Sequence, residues 1–282
     1  MINLNSAVEI KQYIKKHKFY IFGTGFVAEN LLGYLENNDI QSNLVGFLET
    51  QPKKSEFNNF PVYKLDTISY VNNVSIIVAA HSSIFEQIKM LLESKGITEW
   101  IWIYPYWYEL LFGCPYKKNL IINPYSVIQK ACFSERVMCS IYLLGIGYVF
   151  NQNRIGKSVF FKFSSLFSSN NTIEKRWESF SDMVTKFDET NISHLGNLLV
   201  ATDAGFIIDG NHRIALALYK RIPRIYVDLF HANYEDVSYI FKKLMLNSED
   251  VNSLFSREEC DHILLLTDEL VSCNDISEYC KF

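Results

Sequence analysis

Five consecutive residues carry the densest chemistry in the chain: Asp209-Gly210-Asn211-His212-Arg213. A carboxylate, an imidazole and a guanidinium fall within about one helical turn of a glycine. Phe206-Ile207-Ile208, just before them, is an apolar run that favours a strand. Asp-Gly is a turn signal, and Ile214 to Tyr219 is dense in the helix formers Ala and Leu. The string therefore predicts strand, tight turn and helix, with Asn211 at the N-cap. A helix start presents unpaired N–H groups and a partial positive charge, which suits an anion. His212 and Arg213 add donors at the same point, and a guanidinium matches the oxygens of a phosphate. The expected chemistry is polyphosphate binding, with Gly210, Asn211, His212 and Arg213 as the seat. His212 is a candidate donor or proton shuttle, with a buried structural role as the alternative. Asp209 is a candidate to orient His212, to hold a cation through water, or simply to cap the turn.

A second glycine turn stands near the N-terminus. Phe19-Tyr20-Ile21-Phe22 reads as a buried strand, and Gly23-Thr24-Gly25-Phe26-Val27-Ala28 follows it into a helix through Leu35. The Gly-x-Gly-x-x-Ala spacing between strand and helix is what a dinucleotide pyrophosphate needs: a sharp turn, close backbone approach and tight helix packing. A strand over 43–48 ends at Glu49, about 20 residues further on, where an acceptor for a ribose hydroxyl is expected. Gly23, Thr24, Gly25, Phe26 and Glu49 are thus candidate contacts for NAD or a nucleotide-sugar.

The elements that must position these turns follow in order. Ser75 to Ala80 and Trp100 to Ile103 are further strands, separated by a helix over Ile84 to Lys95, so the first part predicts a doubly wound parallel sheet. Residues 114–157 read as a helical linker, punctuated by Pro115 and Pro124 and apolar at helical spacing from Ser126 to Phe150. Ser158 to Phe163 reads as a strand, Ser164 to Asn171 as a loop and Glu178 to Lys186 as a helix. Asn197 to Ala201 and Ile225 to Leu229 are strands on either side of the central motif. Beyond 231 the chain reads as helices, with Glu235, Asp236, Glu249, Asp250, Glu258, Glu259 and Asp261 on a solvated acidic face.

Asp-Gly-Asn-His-Arg before an Ala-rich helix, followed by Ile-Tyr-Val-Asp, resembles the ParB/sulfiredoxin nucleotide-binding superfamily over about Val159 to Phe230. Its branches include chromosome-partition CTPases, sulfiredoxins and free-serine kinases. The nearest motif is the serine kinases' Asp-Gly-His-His-Arg, from which only Asn211 differs. Sulfiredoxin chemistry needs a cysteine where Asn211 stands, and the partition proteins carry a basic helix-turn-helix that does not stand out here. The resemblance implies ATP, ADP or CTP with Mg²⁺, phosphate contacts from Arg176 as well as the turn, and Glu174 as base for an accepting hydroxyl. The first part, about Phe19 to Tyr104, resembles the Rossmann-like domain found beside surface-polysaccharide enzymes, with Val-Gly-Phe-Leu-Glu and Phe-Pro-Val-Tyr in their usual places.

The expected architecture is therefore α/β: a Rossmann-like domain over 1–113, the linker over 114–157, a ParB/sulfiredoxin-like α+β domain over 158–231 and a helical extension over 232–282. The expected function is a nucleotide-dependent phosphotransferase acting on a sugar, sugar nucleotide or amino acid in surface-glycan synthesis. The alternatives are a regulatory or scaffold protein that binds or hydrolyses nucleotide without transfer, and an NAD(P) oxidoreductase. The first domain, 1–113, contains no Tyr-x-x-x-Lys pair to support the last.

Composition bounds these readings. With 282 residues, 49% hydrophobic, the chain is long enough for two cored domains. A net charge of −4 argues against a broad nucleic-acid surface. The longest apolar run, Met138 to Phe150, is shorter than the roughly 20 residues that span a bilayer and is expected to be buried. The cysteines form no Cys-x-x-Cys pair, and without a leader at Met1 they read as reduced cytoplasmic thiols. Tyr106-Trp107-Tyr108 reads as core or interface filling, with a stacking platform as the alternative. Abundant Phe and Tyr fit thick cores or a buried homo-oligomer interface.

Overall fold

A computed structural model describes residues 1–67, 74–166, 170–187, 196–241 and 245–272. The chain folds into two compact units, Met1–Cys114 and Pro115–Phe282.

The first unit runs α1 (Ala7–Lys16), β1 (Phe19–Phe22), α2 (Phe26–Asn37), β2 (Leu44–Glu49), β3 (Glu56–Phe57), β4 (Phe60–Lys64), β5 (Ser75–Val78), α3 (Phe85–Ser94), β6 (Trp100–Trp102) and α4 (Trp107–Phe112). Its six strands lie in the order β3-β4-β2-β1-β5-β6, parallel except for the short edge strand β3. Strand runs such as Phe19-Tyr20-Ile21-Phe22 are apolar throughout because both sheet faces are covered. One core gathers Ile10 and Ile14 of α1, Leu31 and Leu35 of α2 and Trp107 of α4. The other gathers Ile88 and Leu92 of α3 with Leu48, Val78 and Trp100. Trp107 is fully buried, so the Tyr106 to Tyr108 cluster does fill core.

The second unit begins with β7 (Lys117–Ile122), followed by α5 (Pro124–Ile128), α6 (Phe133–Val149), α7 (Gly156–Ser165) and α8 (Asn170–Lys186). It continues with β8 (Leu198–Ala201), β9 (Phe206–Asp209), α9 (Asn211–Tyr219) and β10 (Ile225–Phe230), and ends with α10 (Tyr234–Phe241), α11 (Ser248–Leu254) and α12 (Arg257–Ser272). Its sheet order is β7-β10-β8-β9. β10 runs parallel to β8 and antiparallel to β7, and β9 pairs antiparallel with β8 alone, so one edge of β9 is free of strand pairing. The helix α6 is apolar nearly all round, and it is buried nearly all round, packed on α7, α8, α9 and α12.

Three local expectations change. Ser158 to Phe163, expected as a strand, lies inside α7. Val159, Phe160, Phe163 and Ser164 are its buried residues, a helical stripe rather than an alternation, and packing on α6 overrides the β preference of the aromatic run. The stretch expected as a helical linker instead supplies a strand, β7, and the central helix of the second unit's core. Glu259, expected on a solvated face, is buried on α12, where it accepts from Lys162 Nζ at 2.5 Å and Ser158 Oγ at 2.7 Å of α7.

Among the described residues no helix is long and apolar enough to cross a membrane. Cys139 and Cys260 are buried, Cys114 is exposed, and these and Cys132 are free thiols. Cys273 and Cys280, like His194, lie outside the described residues.

Candidate functional site

The turn between β9 and α9 has the conformation that its glycine permits. Gly210 has φ +112° and serves as the N-cap of α9, with no side chain capping the helix. Asn211, expected at the N-cap, is instead the first helical residue. Its amide turns back, and Nδ2 donates to the carbonyl of Ile207 at 3.4 Å. A β-carbon at Gly210 would stand 2.6 Å from Leu198 Cδ2, so another residue there would strain the backbone and displace the Leu198 side chain. The first N–H groups of α9 thus keep no side-chain acceptor, which is the state an anion site requires.

Arg213 is held firmly at this turn. Nη1 donates to the Asn197 carbonyl at 2.9 Å, and Nη2 pairs with Asp209 Oδ2 at 3.1 Å. β-carbons built on Gly196 and Gly210 would stand 3.2 and 3.1 Å from the same two nitrogens, so the guanidinium is clamped between two glycines. Asp209 is half-exposed and already supplies Arg213 with an anion. Arg176, on α8, acts by its charge on the buried His212 and Tyr142.

His212 faces inward. Its ring meets Tyr142 edge-on at 4.2 Å and lies 5.3 Å from Phe180 and 6.4 Å from Phe160. Nε2 is sealed from solvent and has no hydrogen-bond partner. Burial, with Arg176 and Arg213 adding repulsion, holds the imidazole down to about 3, so it is neutral at physiological pH. The expected donor or shuttle role is corrected: an uncharged ring in an aromatic box packs the base of the turn. Glu174 is corrected too. It is exposed on α8, two residues before Arg176, and residues at that spacing point to opposite sides of a helix.

Sequence reasoning missed three residues here. Asn197 gives its carbonyl to Arg213, while its Nδ2 donates to Asp228 Oδ1 and Asn119 Oδ1, each at 2.8 Å. Asp228 Oδ1 also accepts from the Asn119 N–H at 2.8 Å. A carboxylate inside the otherwise apolar run Ile225 to Phe230 was the available signal for Asp228. The third is Glu135 of α6, fully buried, whose Oε2 accepts from the Ile207 N–H at 3.3 Å. Desolvation pushes its carboxyl well above the usual range, opposed by the hydrogen bonds of Ile207 and Asn211. Nothing local distinguishes Glu135 from a surface glutamate.

A cation bound with a nucleotide is held by phosphates plus one or two carboxylates. Asp209 meets that need, and no group of three or more His, Cys, Asp or Glu able to cage a metal occurs among the described residues.

In the first unit the glycine turn opens on a cleft of about 540 Å³, lined by Gly23, Thr24, Glu49, Lys53 and Lys54 among others. It lies at the carboxyl ends of β1 and β2. It extends toward β3 and β4, with Glu56, Phe57 and Val62 in its wall. Gly23 has φ +105° and donates its N–H to the Leu48 carbonyl at 2.9 Å. Gly25 is the uncapped N-cap of α2, and Phe26, its first residue, is exposed. Thr24 Oγ1 donates to Glu49 Oε1, which leaves the second carboxylate oxygen for a hydroxyl. Gly23, Thr24 and Glu49 are thus brought together, as NAD or a nucleotide-sugar requires. Lys53 and Lys54, not anticipated from the sequence, add charge suited to a phosphate. Comparison with family models, with curated proteins and with solved structures finds no match to this chain.

Proposed function

We propose that the second unit binds a nucleoside di- or triphosphate at the β9–α9 turn and transfers its terminal phosphoryl group to the hydroxyl of a small acceptor. A sugar, sugar nucleotide or amino acid of surface-glycan synthesis is the acceptor class in view. The observation that carries this reading is the uncapped start of α9 behind left-handed Gly210, with the Arg213 guanidinium held beside it.

Phosphoryl transfer asks for positioning and charge stabilisation more than for covalent chemistry. The backbone N–H groups at the start of α9 and the Arg213 fork would bind phosphate oxygens. Phosphate competes with Asp209 for Arg213, so binding frees the Asp209 carboxylate at the moment a substrate arrives. Asp209 then accepts the acceptor's proton as the new P–O bond forms and the bond to the leaving nucleotide breaks. Mg²⁺ would be held by the nucleotide phosphates and would supply charge neutralisation there. Incubation with ATP, ADP or CTP, Mg²⁺ and a panel of acceptors tests the reading. Arg213→Ala should abolish product; turnover that survives this change places the chemistry elsewhere.

A second reading rests on the first-unit cleft: the chain is a nucleotide- or NAD-binding protein whose ligand occupies the Gly23–Glu49 crevice and regulates or recruits without transfer. Calorimetric titration separates the two. Heat with NAD(H) or a UDP-sugar that is lost in Glu49→Gln but kept in Arg213→Ala supports the second reading; the converse pattern supports the first.

A further inference from the structure

We propose that Glu135 works as an uncharged carboxylic acid that closes a hydrogen-bonded ring with Ile207 and Asn211, and that this ring is the positioning device of the β9–α9 turn. The inference rests on the reading of that turn as the phosphate seat.

Two sides of the ring are in the structure. On the side of β9 that no strand pairs, the Ile207 N–H donates to Glu135 Oε2 at 3.3 Å and the Ile207 carbonyl accepts from Asn211 Nδ2 at 3.4 Å. The third side is implied by what is left over. Glu135 Oε1 and Asn211 Oδ1 are both sealed from solvent, and neither has a hydrogen-bond partner. Both side chains bond to the same residue, Ile207, which makes them neighbours. Two buried acceptors side by side would each remain unsatisfied, at a cost that native structures avoid. One proton on Glu135 Oε1, donated to Asn211 Oδ1, satisfies both atoms at once. Rotating the Asn211 amide instead would turn its oxygen toward the Ile207 carbonyl, leaving two acceptors face to face.

The surroundings agree with a neutral acid. Glu135 is fully buried, and among the described residues no cation pairs with it. The groups that feel it are Cys132 and Tyr142 of the same chain segment and helix, both of which burial keeps protonated. Arg136, next in sequence, turns away and donates to the Ala131 carbonyl at 2.5 Å. The consequence for the site is direct. Ile207 precedes Asp209 by two residues, and Asn211 follows Gly210, so the ring ties the strand end to the helix start across the turn. It also fixes the Asn211 side chain inward, leaving backbone N–H groups alone to face an anion.

Gln at position 135 reproduces every bond of the ring, accepting from Ile207 and donating to Asn211; Ala reproduces none. The test compares the full chain with Glu135→Gln and Glu135→Ala in three measurements. Infrared difference spectra at neutral pH should show a protonated carboxylic C=O band that Glu135→Gln removes. In thermal unfolding at neutral pH, Glu135→Gln should equal or exceed the parent, while Glu135→Ala should melt lower. With inorganic pyrophosphate as probe, Glu135→Gln should bind as the parent does, and Glu135→Ala about tenfold more weakly, as expected from losing two hydrogen bonds. An absent carboxylic band, or a Gln variant that melts as low as the Ala variant, overturns the ring. Pyrophosphate that fails to bind the parent overturns the phosphate seat, while the first two measurements still decide the ring.

Discussion

Two strand–glycine–helix junctions stand in this chain, one in each unit, and they are alike locally. Gly25 and Gly210 each cap a helix whose first N–H groups have no side-chain acceptor, and a glycine in left-handed space, Gly23 or Gly210, makes each turn. Their surroundings differ. The first junction leaves a central strand of a parallel sheet and opens on a cleft with two lysines. The second leaves an edge strand, is underlaid by Glu135, Asn211 and His212, and has its arginine already held by Asp209. The same sequence signal thus yields a helix start beside a cleft with two lysines in one unit, and in the other a helix start whose arginine is already engaged by Asp209.

The comparison breaks first at the glycines. Gly210→Ala places a methyl 2.6 Å from Leu198 Cδ2 on a backbone that L residues rarely adopt. It should lower stability by about 3 kcal/mol in urea unfolding, from overpacking plus backbone strain. Gly25→Ala meets nothing within 4 Å and should change stability by less than about 1 kcal/mol. Equal effects would mean that the two turns are not packed as described.

Arginine substitutions come next. Arg213→Ala and Arg176→Ala should each weaken pyrophosphate or nucleotide binding about 30-fold, the loss typical of a hydrogen-bonded charged contact. Asp209→Ala should act in the opposite direction on inorganic pyrophosphate, tightening it by removing the competing carboxylate, while abolishing transfer. Weaker pyrophosphate binding in Asp209→Ala would show that Asp209 does not occupy the seat. In the first unit, Glu49→Gln should reduce binding of NAD or a nucleotide-sugar about tenfold, since a hydroxyl bonded to a carboxylate loses its charge assistance. Titration calorimetry on the full chain reads all four variants.

The smallest expected effect is on pH. His212 is neutral in the folded protein and is held down to about 3, below its unfolded value of about 6.5. Its contribution to stability is therefore fully present above about pH 6.5 and is lost as pH falls toward 3. Glu135 has the opposite sign: its folded value lies above its unfolded one, so its contribution is present at acid pH and lost as pH rises. His212→Phe should flatten the acid limb of the melting temperature by a few degrees relative to the parent, and Glu135→Gln should flatten the alkaline limb. A His212 variant that parallels the parent from pH 7 to 4 would mean the ring is not sealed.

Much of the frame was legible in advance. The strands Phe19–Phe22 and Phe206–Asp209 stand out because apolar runs that end at a glycine turn admit few alternatives, and Ser75–Val78 because its run is short and apolar. The buried helix α6 was visible as an apolar run too short to span a bilayer. Val159 to Phe163 was not legible as helix. Its composition favours a strand, and only the packing of Val159, Phe160 and Phe163 on α6 chose otherwise. Lys117 to Ile122 lacks a clean alternation and forms a strand because β10 offers it an edge. At the site, Gly210 and Arg213 were legible because a positive φ and a planar fork are properties of single residues. The orientation of Glu174, set by its helical phase against Arg176, was not.

What the amino-acid sequence determined by itself is local: the two glycine turns, the helices that start at them, and the residues available to each. What the tertiary structure decided is which of those residues face the ligand side. Asn211 and His212 turned inward because a carboxyl and three aromatic rings, from residues far away along the chain, surround them. Side-chain direction at a turn depends on the free energy of burying each group among its neighbours, and those neighbours exist only once the chain has folded.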